Sequence, residues 1–429
     1  MLGLINFATQ KPNLDEANEG LAGHFFLAVL AICIAYYCML KPGDLHKLPF
    51  LLSTPSRWVL VASDWAILKQ LGHADERILS MQAAADERNS TSYLLSSSIH
   101  SNPYHIELIL RRLTPLIEAL IPDVLEEVGL AFDEHTGSCS EWVELPQLEV
   151  LLTRCVSIAT SRVLVGHNLC RDEEYIESLT RLSHSAPRAG LLCSLVPRTL
   201  KPLVARWLVH QSYEFQTFLE KVMPLVKNRR RIITTEREGG EEQTGDAIQW
   251  ICDAAPTTET DCEVCMRILY IYISAIGTTS TAIGQAVYDL AENAKFQDPI
   301  RDEIVSIVQE FRGWSKSSLN KMRKLDSSIK ESQRLHPVTT ATMMRKAQKS
   351  CTLADGTTLP QGRWVVVPAY SINRSSQWHD EPDMFDAFRF SRLTERDSFG
   401  NRHGIVIPGR GFLTFGIGKH AWLDTVISY

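Results

Sequence analysis

The segment from Asp261 to about Asn293 most constrains how this chain can fold, because it is long, largely apolar and almost free of helix-breaking residues. An apolar pattern of this length without a proline predicts one long helix buried in the core. A second helix is predicted from Leu319 to Leu335, and it ends before Pro337 because a proline restricts the backbone of the residue that precedes it. A chain organised around such helices is unlike a Rossmann or barrel pattern.

The remaining predicted elements are mostly helical with a few short strands. Apolar residues recur at three- and four-residue spacing from Asn102 to Leu120, and Pro122 is expected to end that helix. Strands are predicted at the segment that includes Trp58 and at Trp364 to Val367, where β-branched and aromatic residues cluster. The fold class predicted from these patterns is mainly α with small β-sheets (α+β).

Composition narrows the class of protein. The 429 residues are 45% apolar and 22% charged, which is typical of a globular protein and not of a disordered one. A net charge of −6 argues against nucleic-acid binding. The ten cysteines are scattered through apolar segments, which favours reduced, buried thiols over a disulfide framework. None of the ten follows Cys351.

An uncharged segment near the N-terminus has the length of a membrane span. Leu21–Leu40 contains one histidine and no formal charge, and twenty helical residues span ~30 Å, about one hydrocarbon core. Basic residues follow the segment and mostly acidic residues precede it, so the positive-inside rule places the bulk of the chain in the cytoplasm. We expect a lumenal tail over residues 1–20 and a transmembrane signal anchor over residues 21–40. A cleaved signal peptide and a buried core helix are the alternatives.

Four segments carry chemistry when they are taken together. Glu331 and Arg334 lie three residues apart on one helical face, a pattern that many surface helices share. A run of hydroxyl residues in the long helix could equally bond back to helix carbonyls. The four segments, in chain order, are Ala275-Ile-Gly-Thr-Thr-Ser280, Glu331-Ser-Gln-Arg334, Phe385-Asp-Ala-Phe-Arg-Phe390 and Phe415-Gly-Ile-Gly-Lys-His-Ala421.

In this order, the four segments resemble the cytochrome P450 family, and with the N-terminal anchor the chain is identified as a member of its fungal microsomal type. The first resembles the oxygen-activating segment of the long helix, the second the Glu-x-x-Arg motif, and the third the Phe-x-Pro-x-Arg-Phe segment, with Ala387 where proline is common. The fourth resembles the haem-binding loop. The resemblance implies the cytochrome P450 fold and haem as the cofactor.

The resemblance also implies a role for individual residues. Thr278 and Thr279 would position the water that protonates bound dioxygen. Glu331, Arg334 and Arg389 would form a buried triad that holds the back of the haem loop, and a bidentate pair explains why arginine is wanted there.

Four further residues would bind the cofactor. Arg345 and His420 match positions that contact haem propionates, although a surface arginine and a loop histidine are the alternatives. Phe415 and Gly418 belong to the haem loop itself.

The chain departs from the family at residue 422, where Trp422 stands in place of the cysteine whose thiolate ligates the iron. An indole has only an N–H donor and cannot replace a thiolate. The seven residues that follow Trp422 differ from the family's continuation, so we expect a C-terminally truncated, incomplete cytochrome P450 domain over residues 41–429. A missed splice junction or a frameshift is one hypothesis for this change.

The resemblance therefore implies a monooxygenase family member that is inactive as written and has no metal ligand at residue 422. Three alternatives stay open: an active haem-thiolate monooxygenase if the sequence is a mis-assembled form, a membrane-bound pseudoenzyme that acts as an interaction partner, and haem held through another ligand such as His420. The partners implied are the endoplasmic reticulum membrane, NADPH–cytochrome P450 reductase and an apolar small molecule, such as a terpenoid or fatty acid of secondary metabolism.

Overall fold

The described part of the chain lies within one unit, His46–Tyr429. The computed structural model describes residues 50–53, 58–137, 147–236, 246–396, 404–418 and 421. The predicted tail and anchor, residues 1–40, lie outside these residues. Among the helices within the described ranges, none is both long enough and apolar enough to cross a membrane.

Helices make up most of the described residues. In the N-terminal half they are α1 (Trp65–His73), α2 (Met81–Asn89), α3 (Thr91–Leu94), α4 (Ser98–Ser101), α5 (Tyr104–Leu108), α6 (Thr114–Thr136), α7 (Leu148–Leu164), α8 (His167–Cys170), α9 (Glu173–Leu195) and α10 (Lys201–Ala205). In the C-terminal half they are α11 (Tyr213–Glu236), α12 (Ala247–Ala254), α13 (Asp261–Glu292), α14 (Gln297–Phe311), α15 (Lys316–Leu319), α16 (Arg323–Leu335), α17 (Ala369–Asn373) and α18 (Arg389–Arg396). Single turns of π-helix follow α5 and α10, and a 3₁₀ turn follows α13.

Helix α13 confirms the long buried helix predicted from the sequence. Its N-terminus carries a capping box, in which the Thr260 hydroxyl accepts from the Glu263 amide and the Glu263 carboxylate accepts from the Thr260 amide. This arrangement satisfies backbone donors that would otherwise lack partners at a helix start. The apolar side chains of α13 lie in the largest hydrophobic core together with those of α7, α9 and α11.

The prediction that Pro122 ends a helix was wrong. Pro122 lies inside α6, which continues to Thr136, and Ile121 beside it is buried. A proline in a helix removes one hydrogen bond, but the packing of an apolar face can outweigh local propensity. Pro115 instead lies in the first turn of α6, directly after the π-helical turn that follows α5.

Within the ranges that the structure describes, seven short strands form two sheets. They are β1 (Phe50–Ser53), β2 (Trp58–Val61), β3 (Leu79–Ser80), β4 (Thr342–Ala347), β5 (Cys351–Thr352), β6 (Thr358–Leu359) and β7 (Trp364–Val367). The larger sheet has the order β1-β2-β7-β4-β3, in which only β2 and β7 are parallel. Strand β4 changes register between Thr342 and Arg345. A second hydrophobic core lies around this sheet and includes Leu413.

Candidate functional site

Glu331 lies at the centre of a buried ion-pair cluster on α16. Its two carboxylate oxygens accept from Nε and Nη2 of Arg334, both at 2.8 Å. Oε1 also accepts from Nε of Arg389 at 3.0 Å and from the Asp386 amide at 3.2 Å. Glu331 and Arg334 are both completely buried. A bidentate pair with further donors is the geometry that compensates for removing two charges from water.

The two arginines use their remaining donors to hold the backbone of the segment that precedes α18. Nη1 of Arg334 donates to the carbonyls of Asn373 at 2.9 Å and Pro382 at 2.6 Å. Nη1 of Arg389 donates to the carbonyl of Asp380 at 2.6 Å. The structure thus brings together the three residues of the predicted triad, and it places them against backbone carbonyls rather than against an open cavity.

Next to this cluster lies the segment that we call the Phe415 loop, residues 413–418. Asn373 anchors its start, because its Oδ1 accepts from the Leu413 amide at 2.8 Å and its Nδ2 donates to Thr414 Oγ1 at 3.1 Å. Thr414 in turn donates to the Gln333 carbonyl of α16 at 3.0 Å. The Phe415 ring packs edge-on against Phe412, with centroids 6.1 Å apart. The loop is therefore connected to α16 by side chains that lie outside the Glu331-Ser-Gln-Arg334 motif.

Two glycines of the loop need to be glycines. Gly416 and Gly418 have φ angles of +70° and +82°, and residues other than glycine rarely adopt a backbone conformation in this region. A Cβ at Gly418 would lie 2.2 Å from the Gly72 carbonyl oxygen, and a Cβ at Gly72 would lie 3.0 Å from the Ile417 oxygen. The loop thus packs directly on α1 backbone at Gly72. A lone glycine in a helical pattern was the available signal for this contact.

Arg345 is a buried guanidinium with unused donors. It is 1% exposed, and its Nη1 donates to the Met344 carbonyl at 2.8 Å. Nε and Nη2 have no hydrogen-bond partner among the described residues. Burial lowers the pKa of Arg345 to about 10, and only the charge of Glu76 opposes this effect. A buried cation with two unpaired donor nitrogens is costly, so this position fits an anionic ligand.

The two threonines of α13 differ in what their hydroxyls do. Thr278 Oγ1 donates back to the Ser274 carbonyl at 2.7 Å, the usual bond of a threonine inside a helix. Thr279 Oγ1 is buried and has no partner within the described ranges. The free hydroxyl of the predicted pair is therefore that of Thr279.

Two histidines that sequence reasoning missed also have a buried polar atom without a partner among the described residues. His100 and His105 pack edge-on against the Tyr270 ring of α13, each with centroids 5.5 Å apart. Both Nε2 atoms are buried without a partner in the described part of the chain. Burial lowers the pKa of His105 to about 3, and it also lowers the pKa of His100. The carboxylate of Glu76 acts on both His100 and Arg345.

Two residues of the predicted site, His420 and Trp422, lie outside the described residues. The same holds for the tail that follows them. For these positions the amino-acid sequence alone shows what is present, and it shows tryptophan at 422.

Comparison with known proteins assigns the family. The family model described as Cytochrome P450 matches residues 105–421. "Cytochrome P450 monooxygenase 71" of Postia placenta is 31% identical over 92% of this chain and 80% of its own length. "Ent-kaurene oxidase P450-4" of Gibberella fujikuroi is 31% identical over 73% of this chain and 62% of its own length. A solved structure described as a "cytochrome P450DA heme domain" superposes with a TM-score of 0.65 at 16% identity, over 93% of this chain and 83% of the other.

The chain belongs to the cytochrome P450 family. The superposition confirms the predicted fold class, mostly helical with small sheets. Haem is the cofactor that the family implies, and its members typically use a reductase partner and small-molecule substrates.

The described residues fit haem at its periphery. The unpaired donors of Arg345 suit a propionate carboxylate, and the glycine loop allows a close backbone approach. They do not supply the axial ligand, since residue 422 is a tryptophan and no cysteine follows Cys351. We therefore assign no step of the reaction to an iron-bound species in this chain.

Proposed function

We propose that this protein retains the haem cradle of a cytochrome P450 monooxygenase and does not carry out haem-thiolate oxygenation with the sequence it has. One observation supports the retained haem cradle: Arg345 is a buried cation whose Nε and Nη2 lack partners among the described residues. A cation in that state is stabilised by an anion such as a haem propionate. The proposed lack of haem-thiolate oxygenation depends on Trp422.

Each element of the proposed cradle has its own task. Arg345, with His420 as the second proposed contact, would bind the propionates. The Phe415 loop, with Phe415 and Gly418, would carry the backbone beneath the porphyrin. The Glu331 cluster positions that backbone through α16. Thr279, whose hydroxyl is free of the helix, would hold a proton-donating water, and Thr278 would maintain the local helix.

Trp422 removes the group on which the chemistry of the family depends. Haem with a thiolate ligand supplies the oxygen-activating chemistry, because the sulfur donates electron density that favours O–O cleavage. Tryptophan offers one N–H donor and no metal-ligating atom. A retained cradle without that ligand describes a pseudoenzyme in this form.

Optical spectra of the purified 429-residue chain test this proposal. We expect the reduced, CO-treated protein to lack the red-shifted band that is characteristic of thiolate-ligated haem. Trp422→Cys is expected to generate that band, and Trp422→Phe is the matched control because it alters the same ring without adding sulfur. A thiolate band in the unchanged protein would refute the proposal. A band typical of histidine ligation would favour His420 as the ligand, and a lack of haem in every variant would refute the retained cradle.

A second candidate function is an active monooxygenase in a natural form that carries cysteine at residue 422. The specific observation that favours it is the preservation of the buried Arg345, of the Thr279 hydroxyl that is unpaired among the described residues, and of the hydrogen-bonded Glu331 cluster. Sequencing the transcript across codon 421 tests this candidate. A contiguous read into the Trp422 codon would exclude it.

We also propose that the chain is held in the endoplasmic reticulum membrane by residues 21–40, with the family domain in the cytoplasm. There it would receive electrons from NADPH–cytochrome P450 reductase and bind an apolar small molecule. The support is the uncharged segment itself and the naming of relatives as monooxygenases. Replacing Leu30 and Ile32 with arginine should release the protein from alkali-washed membranes, since each central arginine opposes insertion by roughly 2.5–3.5 kcal/mol. Replacing Asp44 and His46 with arginine is the control for added charge outside the span, since it adds charge on the side where basic residues already follow the segment. Retention of the first variant would contradict the anchor.

A further inference from the structure

Lys330 is a buried amine of α16 that none of the recognised motifs includes. It is 2% exposed, and its Nζ donates to the carbonyl oxygens of Gly404 and Ile407, both at 2.8 Å. The Nζ also lies 4.8 Å from the ring centroid of Phe390 and 4.5 Å from that of Phe412. An ammonium between two aromatic rings and two carbonyls has replaced most of its hydration with directed contacts.

The turn that Lys330 binds is also held by a carboxylate one helical turn away. The Ile405 amide donates to both oxygens of Asp326, at 3.2 Å and 3.1 Å. The turn itself is closed by the Ile407 amide, which donates to the Gly404 carbonyl at 2.9 Å. Asp326 and Lys330 thus bind one amide and two carbonyls of residues 404–407. A shift of the turn along α16 would break the bonds that both side chains make to it.

This turn leads directly into the Phe415 loop. Phe412, which packs against Lys330, also packs edge-on against Phe390 and against Phe415, with centroid separations of 6.0 Å and 6.1 Å. The next residue, Leu413, begins the Phe415 loop. We propose that Lys330 is a positioning residue for the Phe415 loop: it holds the turn 404–407 on α16 and, through Phe412, sets where the loop lies.

The charged neighbours of Lys330 define how its contribution depends on pH. Asp326 attracts it, and Glu303 of α14 acts on Asp326. Segment 404–412 presents carbonyls and Phe412 to the amine, and α18 presents Phe390. His379 borders Phe390, and burial lowers the pKa of His379 to about 4, so it is neutral near pH 7. Burial lowers the pKa of Lys330 to about 7, and Asp326 only partly offsets this effect.

The sign of the pH effect follows from linkage. When the turn leaves α16, Lys330 returns to water and to an ordinary lysine pKa of ~10.4. Between about pH 7 and that value the undocked state binds more protons than the docked state, so docking becomes more favourable as pH rises. A methionine at this position has no such dependence.

Hydrogen exchange of the full 429-residue chain, measured without haem, tests the proposal. In Lys330→Met we expect protection of peptides covering 404–418 to fall by about tenfold or more, because the Gly404 and Ile407 carbonyls both lose the lysine donor, while peptides of α13 keep theirs. Lys321→Met, an exposed position near the start of α16, is the control and should change neither. After correction for intrinsic exchange, protection of 404–418 in the unchanged chain should rise from about pH 7 to about pH 10, and this rise should vanish in Lys330→Met.

A second variant keeps the test decisive if Lys330→Met fails to fold. Asp326→Asn keeps an oxygen for the Ile405 amide and removes the charge that raises the pKa of docked Lys330, so the pH-dependent rise should begin at lower pH. Unchanged protection in Lys330→Met, or a pH profile of 404–418 identical in all variants, would overturn the proposal. The relevance of this role to haem rests on the proposed function, but the exchange measurement does not. A lack of haem in the optical spectra would refute the proposed function, whereas unchanged exchange would refute the role of Lys330.

Discussion

The Glu331 cluster and the surroundings of Arg345 are both buried and polar, yet they differ in how their hydrogen bonds are completed. Both oxygens of Glu331 accept from arginine side chains, and the arginines donate onward to backbone carbonyls. Arg345 leaves Nε and Nη2 without partners in the described part of the chain, and Thr279 leaves its hydroxyl unpaired there. The first region is complete within the described residues, whereas the second has polar groups that find no partner there.

We propose that this difference separates residues that build the site from residues that contact its ligand. Removing one partner of a complete buried pair leaves an uncompensated charge, so it is strongly destabilising. Removing a buried polar group that has no partner takes away a cost instead. Stability measurements on the haem-free chain can therefore distinguish the two classes without any assay of activity.

The largest effect is expected for Glu331→Gln. The variant leaves the guanidinium groups of Arg334 and Arg389 without a carboxylate, so the free energy of unfolding should fall by about 3–5 kcal/mol. Urea unfolding followed by circular dichroism measures this change. Glu310→Gln, at an exposed position of α14, is the matched control, and an equal midpoint for the two variants would contradict the expected role of the cluster.

An effect of the opposite sign is expected for Arg345→Met. The haem-free variant should be at least as stable as the unchanged chain, with a gain of up to about 1–3 kcal/mol, because two unpaired buried donors disappear. Its retention of haem during gel filtration should fall. Lys349→Met, at an exposed position after β4, should change neither property. A clear loss of stability in Arg345→Met would show that the chain itself completes this region.

The smallest effect should separate the two threonines. Thr278→Val removes a hydroxyl that is bonded to the Ser274 carbonyl, and Thr279→Val removes one without a partner among the described residues. We expect Thr279→Val to be neutral or stabilising by less than about 1 kcal/mol, and Thr278→Val to be the less stable of the two. Thermal unfolding of both variants measures the order, and a reversed order would remove the distinction between them.

The amino-acid sequence located the main elements where a strong local signal was present. The long proline-free segment became α13, and Glu331 and Arg334 share a helical face because their spacing places them there. Pro122 shows the limit of such signals. The rule that proline ends a helix predicted a helix end there, but α6 continues to Thr136. A proline removes one hydrogen bond, and the burial of an apolar face, which depends on distant residues, decided the outcome.

What the sequence determined by itself is the order of the family's motifs and the identity of each residue, including a tryptophan at 422. What only the tertiary structure decided is which polar groups are already satisfied: that Thr278 is bonded and Thr279 is not, that Arg345 is buried, that Gly72 lies against Gly418, and that Lys330 binds the turn before the Phe415 loop. The physical reason is that hydrogen-bond satisfaction and burial depend on groups far apart in the chain, which no local pattern specifies.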